Sequence, residues 1–401
     1  MPSVSTLDEL MQTWSRHWAI ENGYPNYFDK LWQAVKTYYS AGKPYPLPPH
    51  FLHPSLNFEK ILGEMVALSH WMTPAPWGNT LRQAACDGDA PRHLDFPNPE
   101  RYGPAVDVRD QLSYLTNELA KHMRGLCQEL DRDAEPSRKF AELLDGLRGG
   151  FDVGIYNLNY DTVALTAWPD AYTGFGPTGS FETMSMHQRQ NWGFIYHLHG
   201  SVHNSLNRAF GDQIEWRPDL SGQFFEGHYS TDERSDYQSF PTTTLIAGGF
   251  KLDQLLVEPF HSYHAALVRH IYEADAILIG GYGFGDVHVN RALHNRVDDS
   301  TKTRPPVMIL DYANECTEPM ASRYDLWAHE VRRTLKTDGH FFRQPAGTPP
   351  FKLATEGAFE VAQMHRAALW HGGFTEAVSR LDSILAWLSG EDDKVLIPRT
   401  R

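Results

Sequence analysis

Residues 276–286 read Ala276-Ile277-Leu278-Ile279-Gly280-Gly281-Tyr282-Gly283-Phe284-Gly285-Asp286, and a helical pattern follows over 287–296. A short apolar run rich in isoleucine and stopped by glycine reads as a buried strand. Glycines at a strand-to-helix turn leave main-chain N–H groups able to meet a phosphate, aided by the helix dipole. The spacing is not the dinucleotide fingerprint Gly-x-Gly-x-x-Gly. Asp286 is placed as the N-cap of the helix. Its carboxylate would repel a phosphate set directly on the helix end, so a nucleotide would lie across the glycines, near its ribose or adenine. A tight turn needing positive φ also accounts for the glycines, but less well for Tyr282 and Phe284 between them.

Working outward, the same grammar recurs. Short apolar runs, each closed by Gly, Asn or Asp, lie at 153–158, 194–198, 243–247 and 307–310. Helical patterns lie between them, at 254–273 and 287–296. Strands alternating with helices predict an α/β fold, with a doubly wound parallel sheet covered on both faces. In such sheets ligands bind beyond the carboxyl ends of the strands.

The first half reads as helix. Val108, Leu112, Leu115, Leu119, Met123 and Leu126 recur at helix spacing. Weaker stripes run over 27–39 and 58–71, with a Pro-rich connection at 96–104. Ser180–Asn191 has no clear period and reads as a loop; 344–350 reads as a linker. Beyond it, 355–371 and 375–388 read as two helices joined by Gly372-Gly373. Three regions are expected: mainly helical over 1–150, an α/β core over 151–343, and a helical hairpin over 351–401. The hairpin would pack on the core or on a second subunit, since one such unit cannot make a solenoid.

The formal net charge of −14 over 401 residues disfavours a general nucleic-acid coat, which needs clustered Lys and Arg. No direct nucleic-acid binding is expected. No stretch is apolar enough to span a bilayer, and Met1–Leu10 shows no secretory pattern. The three cysteines, Cys86, Cys127 and Cys316, give neither a disulfide framework nor a Cys-x-x-Cys pattern, which fits a cytoplasmic protein.

Three strand ends carry polar chemistry. Asn157-Leu158-Asn159-Tyr160-Asp161 sets two amides and a carboxylate after an apolar run, where a turn would also favour them. His197-Leu198-His199-Gly200-Ser201 puts two histidines on one strand face, and Gly200 would let main chain approach a ligand. His-x-His also suits a metal, with His203, His261 and His264 as further ligands, although a pair of hydrogen-bonded histidines under a loop reads as well. The glycine turn is the third strand end. Asp311, after 307–310, could accept from ribose hydroxyls or close a turn.

Together these motifs resemble the sirtuin-like family, especially its bacterial branch of defence-associated NAD hydrolases. Asn159-Tyr160-Asp161 looks like the family's Asn-(Ile/Tyr)-Asp motif, and His199-Gly200-Ser201 like its His-Gly motif. Gly248-Gly249-Phe250-Lys251 through Pro259 and Tyr263 is similar to the segment before its late core helix. Residues 281–286 look like the branch's Gly-(Tyr/Thr)-Ser-Phe-Gly-Asp turn, with Gly283 replacing serine. Asn57-Phe58-Glu59 is similar to a short upstream motif. Two departures stand out. Nothing before Phe58 matches the family's Gly-Ala-Gly loop for the pyrophosphate of NAD, as 1–39 holds one glycine, Gly23. That element is expected upstream, or diverged or lost. The four-cysteine zinc module of the deacylases is absent too, which argues for direct action on NAD.

The resemblance implies a Rossmann-like core and cleavage of the nicotinamide–ribose bond of NAD, without a metal. It implies catalytic Asn159, His199 and Asp161: the imidazole as general base, the amide orienting ribose and water, the carboxylate bracing the motif or steadying positive charge. Gly200, Ser201, Gly281, Tyr282, Gly283, Phe284 and Asp311 would contact the nucleotide. The implied role is an effector of anti-phage defence by NAD depletion, a homo-oligomer with an ATPase or Argonaute-like partner and no membrane association. Two other readings stay open: a catalytically silent sirtuin-like scaffold, and a metal-dependent hydrolase built on His197 and His199.

Overall fold

The computed structural model describes residues 4–40, 56–72, 103–207, 213–225, 227–229, 241–246, 255–312, 326–337, 341–342, 353, 359–362 and 366–391. Among the described residues four helices come first: α1 (Val4–Asn22), α2 (Tyr27–Ser40), α3 (Phe58–Met72) and α4 (Gly103–Gln128). The expected stripe holds α4 in place through Val108, Leu112, Leu115, Leu119 and Met123, all buried, whereas Leu126 is exposed. These meet Leu7 and Met11 of α1, Tyr27 and Phe28 of α2, and Ile61 and Met65 of α3. Asn26 and Asn57 cap α2 and α3 by accepting from Asp29 and Lys60 N–H, both at 3.0 Å. Gln111 is fully buried. It accepts from Tyr27 N–H at 2.9 Å and donates to the Ser15 carbonyl at 3.3 Å, so α4 ties α1 to α2.

The chain then alternates. It forms α5 (Glu135–Gly150), β1 (Gly154–Asn157), α6 (Val163–Ala167), α7 (Thr183–Gln188), β2 (Phe194–His197), β3 (Asn204–Asn207), β4 (Gln213–Trp216), β5 (Gly227–Tyr229) and β6 (Pro241–Thr243). Then come α8 (Phe260–Glu273), β7 (Ile277–Gly280), α9 (Val287–Asp298), β8 (Val307–Leu310), α10 (Leu326–Leu335) and β9 (Phe341–Phe342). Last are β10 (Phe359–Ala362), β11 (Ala367–Trp370), α11 (Gly373–Ala377) and α12 (Leu381–Leu388).

The strands form small sheets. β1 and β2 pair in parallel, with Asn157 opposite His197. A five-stranded sheet runs β7-β8-β11-β10-β9: β7, β8 and β11 are parallel, while β10 and β9 turn antiparallel. Alternation sorts its side chains. Ile279, Val307, Ile309 and Leu369 face α8, α9 and α10; Met308, Leu310, Val361 and Ala368 face α5, α11 and α12. Helices therefore cover both faces, as the sequence implies. Phe194 and Tyr196 of β2 join the first of these clusters. The observed architecture is mixed α/β with small parallel sheets. Among the described residues no single doubly wound sheet unites β2 with β7.

The expected helix over 355–371 is a correction: that segment holds the β10–β11 hairpin. β11 sits between β8 and β10, so all four of its residues are buried. A strand buried on both faces shows no period of two, and Ala367-Ala368-Leu369-Trp370 imitates a helical run. The C-terminal hairpin is therefore not helical throughout; only its second half forms α11 and α12. The run 243–247 does not enter the parallel sheet either. β6 pairs antiparallel with β5, and Leu245 bridges Gly200. The helix expected from residue 254 begins at Phe260, after Pro259. The loop expected at 180–191 contains α7, anchored by buried Met186. The 344–350 linker, Gly248–Lys251, Cys86, Cys316 and most of the 96–104 connection lie outside the described residues.

If β11 is an inner strand, Leu369→Ala should lower stability by about 2–5 kcal/mol. Chemical denaturation measures this, and a loss below about 1 kcal/mol would contradict the packing.

Candidate functional site at the strand ends

β2 ends at His197, and the chain continues through His199 into Gly200 with φ +94°. β7 ends at Gly280 and turns through Gly281 (φ +58°) to Asp286. His199 Nε2 and Asp286 Oδ2 lie 2.8 Å apart, both side chains buried. Asp286 is the N-cap of α9, as the sequence suggests. Its Oδ1 accepts from His288 N–H at 3.1 Å and Val289 N–H at 3.5 Å. One carboxylate thus closes the helix and holds the imidazole across 87 positions of chain. The sequence hid that second contact, since the cap alone explains an aspartate there.

The Asn157–Asp161 turn adjoins this through His197. Asn157 Oδ1 accepts from Asn159 N–H at 2.9 Å, and Asn157 Nδ2 lies 3.4 Å from His197 Nδ1. His197 Nδ1 is also 3.4 Å from the Asn159 carbonyl. Burial pushes the His197 pKa down to about 4, so its ring is neutral at neutral pH and Nδ1–H can donate to that carbonyl. Asp161 Oδ1 accepts from Val163 N–H at 3.1 Å, closing a local turn. Burial raises the Asp161 pKa, partly offset by that hydrogen bond. Asn159 is exposed, and its amide makes no hydrogen bond among the described residues.

Tyr160, between these polar groups, points the other way. Its ring is buried with the N-terminal helices, and its hydroxyl donates to the Ile246 carbonyl at 2.8 Å. Arg124 of α4 reaches the same region, donating from Nε to the Val202 carbonyl at 3.0 Å.

The glycines divide into two kinds. A Cβ on Gly200 would lie 2.1 Å from the Thr244 carbonyl oxygen, so the close approach there is to the chain's own crossing segment, not to a ligand. Ser201 is fully buried, and its Oγ accepts from His203 N–H at 3.3 Å, which supports the loop. By contrast, Gly280, Gly281, Gly283 and Gly285 are exposed, and a Cβ on any of them would meet nothing within 4 Å among the described residues. Only Gly281 of these has positive φ. The backbone and packing of this protein therefore do not require glycine at 280, 283 or 285. Neither Gly283 nor Gly285 N–H has a hydrogen-bond partner among the described residues.

The aromatics between them serve the turn. Tyr282 hydroxyl donates to Asn290 Oδ1 at 2.9 Å, and Phe284, at φ +52°, is buried edge-on to Trp327. Phe284 can offer a ligand its main chain but not its ring. Asp311 follows β8, next to the glycine turn in register; its N–H donates to the Trp370 carbonyl at 2.8 Å. His197 and His199 turn to different partners. No group of three or more His, Cys, Asp or Glu suited to a metal occurs among the described residues.

The ends of β2 and β7 are joined by the His199–Asp286 contact beside the exposed glycine turn, within a mixed α/β arrangement. Residues 153–332 match the model of the SIR2-like domain family. No curated protein matches the chain. No helix among the described residues is long and apolar enough to cross a membrane.

Gly200→Ala should cost about 1–3 kcal/mol through strain and overpacking at the crossing. Thermal and denaturant unfolding would show it, and a neutral result would rule out the close approach.

Proposed function

We propose that the chain hydrolyses NAD at the nicotinamide–ribose bond, releasing nicotinamide, ADP-ribose and a proton. The observation that carries this reading is the His199–Asp286 contact, which sets an imidazole beside the exposed glycine turn within the residues that match the SIR2-like domain family. In this proposal the core is Rossmann-like and doubly wound.

The residues fit a nucleotide. Among the described residues nothing fills the space over Gly283 and Gly285 and their two N–H groups make no hydrogen bond, which suits close approach of a polar ligand. Asp286 on the end of α9 disfavours a phosphate there, so the ribose is the better neighbour for that end. His199 takes a proton from a ribose hydroxyl or from water as positive charge grows on the sugar. Asn159, whose side-chain amide makes no hydrogen bond among the described residues, orients hydroxyls and water. Asp161 braces the turn that carries Asn159. Asp311 is assigned to ribose hydroxyls, and no metal takes part. Depletion of NAD in anti-phage defence, assembly into a homo-oligomer and an ATPase or Argonaute-like partner complete the proposal; they rest on the motif resemblance alone.

Incubating the full chain with NAD and measuring free nicotinamide tests the reaction. His199→Gln, whose amide can still donate to Asp286, and Asn159→Ala should each reduce release by at least about 100-fold while leaving the fold intact. Undiminished release from both variants would defeat the assignment, and NAD binding without turnover in the native chain would make the domain a silent binder.

A separate outcome is expected at the turn. Gly283→Ala should weaken NAD binding at least about tenfold, with stability unchanged or raised by up to about 1 kcal/mol. Calorimetric titration beside a melting curve distinguishes lost binding from lost folding.

A further inference from the structure

We infer that Asp286 is a positioning residue that fixes the tautomer of His199 and leaves Nδ1, not Nε2, as the nitrogen that takes the proton. The inference rests on the hydrolase reading for its chemistry, but its physical core stands on geometry alone. The 2.8 Å contact is made by Nε2, between two buried side chains. A carboxylate can only accept, so in the neutral ring the proton lies on Nε2. Nδ1 then carries the lone pair. Among the described residues it makes no hydrogen bond.

Asp286 is itself immobilised. Oδ1 receives two N–H groups from the first turn of α9. Tyr282 hydroxyl, which donates to Asn290 Oδ1 of the same helix at 2.9 Å, accepts from Asp286 N–H at 3.3 Å. The carboxylate therefore cannot swing away without uncapping α9. This is the division of labour of a base and its orienting acid, with the acid borrowed from a helix cap. No bond to Asp286 forms or breaks. The proton taken from a hydroxyl or water goes to Nδ1, the ring becomes an imidazolium, and Asp286 stabilises that charge. It leaves to solvent after turnover.

Asp286→Asn tests this, because asparagine caps helices as well as aspartate does. Its amide can donate to Nε2 and so move the imidazole proton to Nδ1. Imidazole ¹⁵N shifts of histidine-labelled protein at about pH 8, where an ordinary imidazole is neutral, with His199 assigned by His199→Gln, should show Nε2 protonated in the native chain. They should show Nδ1 protonated in Asp286→Asn. Nicotinamide release should fall at least about 100-fold in that variant, with the melting temperature little changed. If Asp286→Asn does not fold, Asp286→Ser keeps a capping hydroxyl but cannot serve both partners, and the same two readouts apply. A native chain with Nδ1 protonated overturns the inference. So does a variant with activity within about threefold of native, since a lost orienting acid costs far more. A native chain that releases no nicotinamide defeats the hydrolase proposal instead, and the ¹⁵N shifts still decide the tautomer.

Discussion

One buried hydrogen bond, His199 Nε2 to Asp286 Oδ2, joins two parts of the α/β body that share no ladder among the described residues. β2 brings the imidazole and the β7–α9 turn brings the carboxylate. Removing both groups from water is costly, and leaving either without the other is costlier, by about 3–5 kcal/mol for a charged partner. The contact is consequently both an assembly constraint and a chemical one. Asp286 is held by the cap of α9, while His199 is held by the main-chain bond from Ile246 N–H to its own carbonyl at 2.8 Å.

Much of the α/β plan was legible. Four apolar runs, at 153–158, 194–198, 276–279 and 307–310, coincide with β1, β2, β7 and β8 within a residue or two. The stripe on α4 was readable because it borders a helical core on one side only. The β10–β11 hairpin was not, because an inner strand covered on both faces loses the alternation that marks a strand. Residues 243–247 resemble another parallel strand in sequence, because apolar content does not say which neighbour a segment will pair with.

The candidate site shows the same division. Asn159, His199 and Asp286 each stand out locally as strand-end or cap residues. Their partners do not, since those depend on distant chain: Asp286 for His199, and Ile246 for Tyr160. Gly200 and Gly283 look alike in sequence but differ in cause. One is squeezed by Thr244, while the other faces open space. Only neighbours from elsewhere in the chain separate a glycine required by packing from one left free for something else.

Tyr160 carries a mechanical consequence. Its flanking residues, Asn159 and Asp161, belong to the strand-end turn, yet its own ring is sunk among α1 to α4. The helical assembly therefore grips the turn by its middle residue, as a hand grips a latch. Tyr160 thereby fastens the turn that carries Asn159 and Asp161 to the helical cluster and, through its hydroxyl, to Ile246.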